Sequence, residues 1–221
     1  MEQAAFLRYY ATKLPTTEVN YIFRHLPTEK TAAGWLSATP PDFVFALKAS
    51  ERITHMDRLR HPAEMLPLFF ERAALVGDRL GPILFQTPPT LQRDDDVLAG
   101  FVASLPSGRR CALEVRHASW YDPAVYDLLA SRGVALVHDD GEGHAPSPLV
   151  TVGATAPFVY LRLRSETPYE NSAIATWADV VAEQVRAGKD VYCYLRHDED
   201  GQMGVAAVAL RERLLGQGIT A

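Results

Sequence analysis

The sequence predicts an α/β domain built around a mostly parallel sheet, and three observations carry that prediction. Short apolar runs rich in β-branched and aromatic residues recur along the chain. Amphipathic helical stretches fill most of the gaps, and strands alternating with helices imply parallel strands joined by crossovers. Split by parity, the runs follow one rule: one side is apolar, while the other starts apolar or aromatic and turns polar toward its C-terminal end. A TIM-type (β/α) barrel demands that rule. Its outer face packs on helices, and its inner face becomes polar only at the C-terminal rim, where sites of this fold lie. An open doubly wound sheet would instead place a ligand at one switch point. The expected architecture is a single TIM-barrel-like domain over residues 1–221 with seven recognisable strands.

Element by element, residues 6–14 have Leu7, Tyr10 and Leu14 at helical spacing. The first strand run, 16–23, sets Val19 and Tyr21 against Glu18 and Asn20, and a helix follows at 28–38. In 43–50, Phe43, Phe45 and Leu47 oppose Val44, Ala46 and Lys48. The helix at 61–80 contains Pro67, which predicts a kink or a split. Ile83 and Phe85 oppose Leu84 and Gln86 in 82–89, and the helix at 94–105 opens on acidic residues suited to its N-terminus. In 111–117, Cys111, Leu113 and Val115 oppose Ala112, Glu114 and Arg116. Asp122 and Pro123 predict the start of a helix over 122–133 that ends in Gly. In 134–140, Ala135 and Val137 oppose Leu136, His138 and Asp140, although Asp139 puts a charge on the apolar parity. Residues 141–157 form an irregular Gly/Pro-rich connection without a helix pattern. In 158–165, Val159, Leu161 and Leu163 oppose Phe158, Tyr160, Arg162 and Arg164. A helix at 171–188 precedes the last strand, 191–198, where Cys193 and Leu195 oppose Tyr192, Tyr194 and Arg196; a helix at 204–216 follows.

Composition bounds the rest. At 48% hydrophobic and 22% charged, the chain can bury one sizeable core. A net charge of −5 gives no general support to nucleic-acid binding. Cys111 and Cys193 sit in apolar runs without a CxxC pair, so they read as core thiols. No stretch reads as a signal peptide or reaches the roughly 20 apolar residues of a membrane span, so no membrane association and a cytoplasmic location are expected.

The predicted rim gathers Lys48, Arg116, Arg162, Arg164 and Arg196 against Glu18, Glu114 and Asp140, with Asn20, Gln86, His138 and Trp120 beside them. Arginine forks suit carboxylate or phosphate, so an anionic small molecule is the expected guest. Glu18, Lys48, Glu114 and Asp140 are the catalytic candidates. A carboxylate would act as base, and Lys48 or His138 as acid. Lys48 could instead form a Schiff base, although nearby carboxylates oppose the lowered pKa this needs. Trp120, just past a strand end, is the candidate stacking aromatic. Glu114, His138 and Asp140 could hold a divalent metal, but the positive surroundings argue against it, and no cofactor motif is present. The opposing reading is that these charges only pair with one another. Burial of ions costs several kcal/mol each, so structure alone explains one or two such residues more easily than eight.

At these residues the sequence resembles the YecE-like family, also called domain of unknown function 72. The resemblance rests on "LRYYATKLPTTEVNYIFRHLP", "FVFALKASERITH", "LGPILFQTPP", "LEVRHASW", "VYLRLR" followed by Tyr169 and Trp177, and "VYCYLRHDEDG". It implies a TIM-type barrel and a family-like polar set of Glu18, Asn20, Lys48, Gln86, Glu114, Arg116, Trp120, Asp140 and Arg162. It implies no established reaction; the family is loosely described as related to sugar isomerases. Family members usually open with a strand and loop of the type Gly-Thr-Ser-Gly-Trp, whereas this chain starts at Met1 on the following helix. A diverged branch and a misassigned start are the alternatives. Arg164-Ser165 and Arg196-His197 replace a His-Gly and a pair of Asn, which makes the mouth more basic. Seven strands would leave a seam with two edges, which a partner or second copy would cover. Three functions follow as expectations: acid/base chemistry on an anionic sugar-like or phosphorylated molecule, nucleic-acid binding or processing, and a non-catalytic barrel that binds a partner.

Overall fold

The computed structural model of the chain describes residues 3–140 and 153–220. Seven parallel strands form one sheet in strict sequence order, curled into a nearly closed barrel. They are β1 (Thr16–Val19), β2 (Val44–Lys48), β3 (Leu80–Gln86), β4 (Cys111–Glu114), β5 (Ala135–Asp139), β6 (Phe158–Leu163) and β7 (Asp190–Leu195). All seven predicted runs are strands, but most end early, because their last residues leave the sheet to build the rim. Seven α-helices accompany them among the described residues: α1 (Gln3–Ala11), α2 (Glu29–Ala38), α3 (Pro62–Ala73), α4 (Asp95–Ser104), α5 (Pro123–Ser131), α6 (Asn171–Arg186) and α7 (Gln202–Gly216). Most of the irregular connection expected at 141–157 lies outside the described residues.

Side chains fix the helix starts. Thr28 accepts from the Thr31 N–H at α2, Asp94 from Val97 at α4, and Asp122 from Ala124 at α5, where Pro123 supplies the first turn. The break predicted at Pro67 comes later. Helix α3 runs through that proline and tightens into a 3-10 turn at Ala74–Arg79, where Gly77 takes φ 60 before β3. Gly81 then lets β3 lie close to β2, since a Cβ there would sit 2.5 Å from Val44 Cγ1.

Two apolar layers result. Phe43, Phe45, Ile83, Phe85 and Leu113 pack outward on helix residues such as Phe69, Leu98 and Leu129. Ala46, Leu84, Ala112, Ala135 and Val137 face inward, where the rings of Phe158, Tyr160 and Tyr194 fill the space these small residues leave.

The register corrects one parity assignment. Leu113 pairs with Leu136, His138 with outward-facing Leu161, and Asp139 with inward-facing Arg162. His138 therefore faces the helices and Asp139 faces the barrel. Both parities of β5 end in a polar residue, so alternation alone could not choose between them.

Strands β1 and β7 are the two edges, and side chains span the gap between them. Thr16 Oγ1 and the Tyr194 hydroxyl lie 2.9 Å apart. The Tyr160 hydroxyl and the Arg162 guanidinium of β6 reach Glu18 of β1. The seam expected from seven strands is thus bridged by side-chain hydrogen bonds in place of a backbone ladder.

Candidate functional site

Polar side chains from five strands, β1 to β4 and β6, form one connected network at the C-terminal mouth. Arg162 from β6 is its centre. Its Nε and Nη2 donate to the two oxygens of Glu18 at 2.9 and 2.6 Å, and its Nη1 donates to Glu114 Oε2 at 2.6 Å. Tyr160 and Asn20 also donate to Glu18, at 2.8 and 3.1 Å. On the other side, Glu114 Oε1 accepts from Gln86 Nε2 at 2.8 Å and from Arg116 Nε at 3.0 Å. Gln86 turns its Oε1 toward Lys48 Nζ, 2.8 Å away. The amide thus faces a cation with its oxygen and a carboxylate with its nitrogen, the arrangement electrostatics prefers.

Burial alone would raise the Glu114 pKa. Arg162, Arg116 and the hydrogen bond from Gln86 more than offset it, and hold the carboxyl down at about 2. Arg162 also loses hydration, yet the two carboxylates raise its pKa further. Lys48 behaves in the opposite way. Burial lowers its pKa, Arg162 lowers it again, and the pull of Glu114 and Glu18 does not make up the difference, leaving about 8. The carboxylates do oppose the lowering, as the sequence argument holds, but burial and Arg162 outweigh them.

Arg116, Arg164 and Arg196 stand at the entrance, where two concavities meet. One, of about 990 Å³, reaches inward past Lys48, Gln86 and Arg162 and along the seam between β1 and β7. The other, of about 1290 Å³, is roofed by residues 165–170 and α6.

Three predicted site residues do other work. The Asp140 carboxylate accepts from the backbone N–H of Arg164 at 2.7 Å, from that of Ser165 at 3.2 Å, and from the Tyr169 hydroxyl, so it anchors the loop after β6. Trp120 is buried in the outer core and donates its indole N–H to the Leu91 carbonyl at 2.7 Å, so it offers no face to a ligand. His138 lies in the helix-facing layer, where burial lowers its pKa to about 4. The metal set of Glu114, His138 and Asp140 does not converge, and no acidic, His or Cys cluster fit for a metal occurs among the described residues.

Other mouth residues went unassigned in the sequence. Tyr160 and Asp139 lie on the inner face beside Arg162. Phe23, on the 3-10 turn after β1, places its ring 4.2 Å from Lys48 Nζ. His55 meets that ring edge-on, with centroids 5.0 Å apart. It sits on a π-helical turn, Arg52–Met56, followed by positive φ at Arg58 (54°) and Leu59 (66°). Such conformations cost about 1–3 kcal/mol each and cluster at functional sites. Here burial of Leu59 and its N–H bond to the Ile53 carbonyl hold them. Parity could have found Tyr160, but no pattern in the chain announces a π-turn.

Comparison with known proteins agrees with the fold. UPF0759 protein YecE of Escherichia coli strain K12 is 29% identical over 149 residues, covering 64% of this chain and 55% of that protein. UPF0759 protein YunF of Bacillus subtilis strain 168 is 26% identical over 163 residues, covering 65% and 56%. The alignments thus span little more than half the length of these curated relatives. Among solved structures, a DUF72 family protein from Enterococcus faecalis V583 superposes with TM-score 0.82 at 21% identity, over 97% of this chain and 95% of that one. Another from Thermotoga maritima MSB8 also gives 0.82, at 22% identity over 97% and 91%. The family described as "Protein of unknown function DUF72" matches residues 1–220, and the chain belongs to it.

Proposed function

We propose that the mouth binds a small anionic molecule, sugar-like or phosphorylated, and performs acid/base chemistry on it. The observation that carries this reading is the convergence of Arg116, Arg164 and Arg196 at the entrance to a cleft whose floor holds Lys48. Arginine forks match phosphate and carboxylate. Lys48 has a pKa close to working pH, as an acid/base group requires. Glu114, held at about 2, is too weak a base for that task and instead orients Arg162 and Arg116.

The test is thermal denaturation of the full chain with glycerol 3-phosphate, sugar phosphates, sugar acids, nucleotides and divalent ions in turn. A ligand at a hundred times its Kd stabilises by about 2.7 kcal/mol. In a chain of this size that raises Tm by roughly 5–10 °C. Arg116→Ala should cut the shift while the fold stays intact. No shift with any anion, or an undiminished shift in the variant, would sink the reading. Salt-sensitive oligonucleotide binding without small-anion binding would favour the nucleic-acid alternative.

A further inference from the structure

We propose that Lys48 forms a covalent imine with the carbonyl carbon of a small anionic ketone or aldehyde held at the mouth, an inference that rests on the anion-binding reading above. Lys48 ends β2, at the rim where this fold keeps its reactive groups. A lysine kept only for structure would pair with a carboxylate. Both neighbouring carboxylates are instead taken by arginines, Glu18 by Arg162 and Glu114 by Arg162 and Arg116. Lys48 donates to the neutral amide of Gln86, and its Nζ lies over the Phe23 ring. That ring shields one side of the amine from water and offers its π face to the positive charge of an iminium. The other side opens on the cleft.

The step balances without a further reagent. The Lys48 ammonium first gives one proton to cleft water. The freed Nζ lone pair attacks the carbonyl carbon, and the C=O pair moves to oxygen, which takes up that proton and a second one shed by nitrogen. The carbinolamine C–O bond then breaks and water leaves. Ammonium plus carbonyl has become iminium plus water. The iminium weakens the adjacent C–H or C–C bond, which is the chemistry the covalent link provides. A larger free-amine fraction near neutral pH follows from desolvation of Lys48 and from Arg162. The other charges facing it are Glu114 of β4, Arg116 just beyond that strand, Glu18 of β1 and His55 on the turn after β2.

The full chain is incubated with dihydroxyacetone phosphate and sodium borohydride, and its peptides are mapped by mass. Glycerol 3-phosphate, which has the phosphate but no carbonyl, is run in parallel by thermal shift. The expected result is one dominant adduct on Lys48, heavier by the substrate less one oxygen, and absent from Lys48→Arg. It should dominate over any adduct on Lys13, Lys30 and Lys189 at neutral pH. Adducts spread over all four lysines of the wild-type chain would overturn the proposal, and this readout needs no variant to fold. A thermal shift with glycerol 3-phosphate but no Lys48 adduct would overturn the imine and leave anion binding standing. Failure of both would overturn the imine, and anion binding would fall with it only if no other anion of the thermal screen gave a shift.

Discussion

Replacing Arg162 by Met tests whether the mouth network is held by this one guanidinium. The side chain is 2% exposed and answers two carboxylates that are themselves nearly buried. Met fills similar volume but leaves Glu18 and Glu114 short of their main partner. Removing one member of a buried ion group costs about 3–5 kcal/mol. With a urea m-value near the upper end of the usual range, about 3 kcal/mol/M, the unfolding midpoint should fall by roughly 1–2 M. The pH dependence gives an independent check. Glu114 titrates at about 2 in the folded chain against 4.5 ordinarily. Its folded pKa is depressed, so its contribution is present above pH 4.5 and is lost as pH falls through 2. The shift corresponds to about 3 kcal/mol. Without Arg162 the folded pKa moves up and this acid-side loss shrinks, so wild type and variant converge in stability near pH 2–3. A midpoint shift below about 0.3 M, or parallel pH profiles, would refute the idea that Arg162 is the keystone.

Tyr194→Phe removes the hydroxyl that spans the seam to Thr16; chemical denaturation should record a loss of about 1 kcal/mol, and no loss would mean the β1–β7 contact contributes little. Trp120→Phe strands the Leu91 carbonyl and should destabilise by about 1–3 kcal/mol, while the anion-induced thermal shift persists; loss of that shift alone would return Trp120 to the mouth. Asp140→Asn weakens acceptance from the Arg164 and Ser165 N–H groups and from Tyr169. It should loosen the loop that carries Arg164, seen as faster amide exchange at 164 and 165 and weaker anion binding; unchanged exchange would contradict the anchoring role.

Much of the barrel was legible in the residues themselves. Alternation over Phe43–Lys48, Cys111–Arg116 and Phe158–Arg164 assigned the outward layer and placed Lys48, Glu114 and Arg162 together at one rim, because strand pleating fixes faces two residues apart. Asp122-Pro123 and Asp94 marked two helix starts for equally local reasons. Local rules failed at the strand ends. His138 and Asp139 compete for the same inward direction, and only pairing of β5 with β4 and β6 decides between them. Trp120 and Asp140 lie just beyond the pleat, so where they point depends on the turn and on distant partners, Leu91 and Arg164.

The sequence by itself therefore determined the seven strand runs and, outside β5, which side of each faces the helices, because both follow from periodicity. Tertiary structure decided which charges neutralise each other and which one is held by a neutral amide. Glu18 and Arg162 are 144 residues apart in the chain and 2.6 Å apart in space, and no sequence spacing reveals that pairing. Because Arg162 takes both carboxylates, Lys48 is left with an amide and an aromatic ring for company, and burial lowers its pKa to about 8.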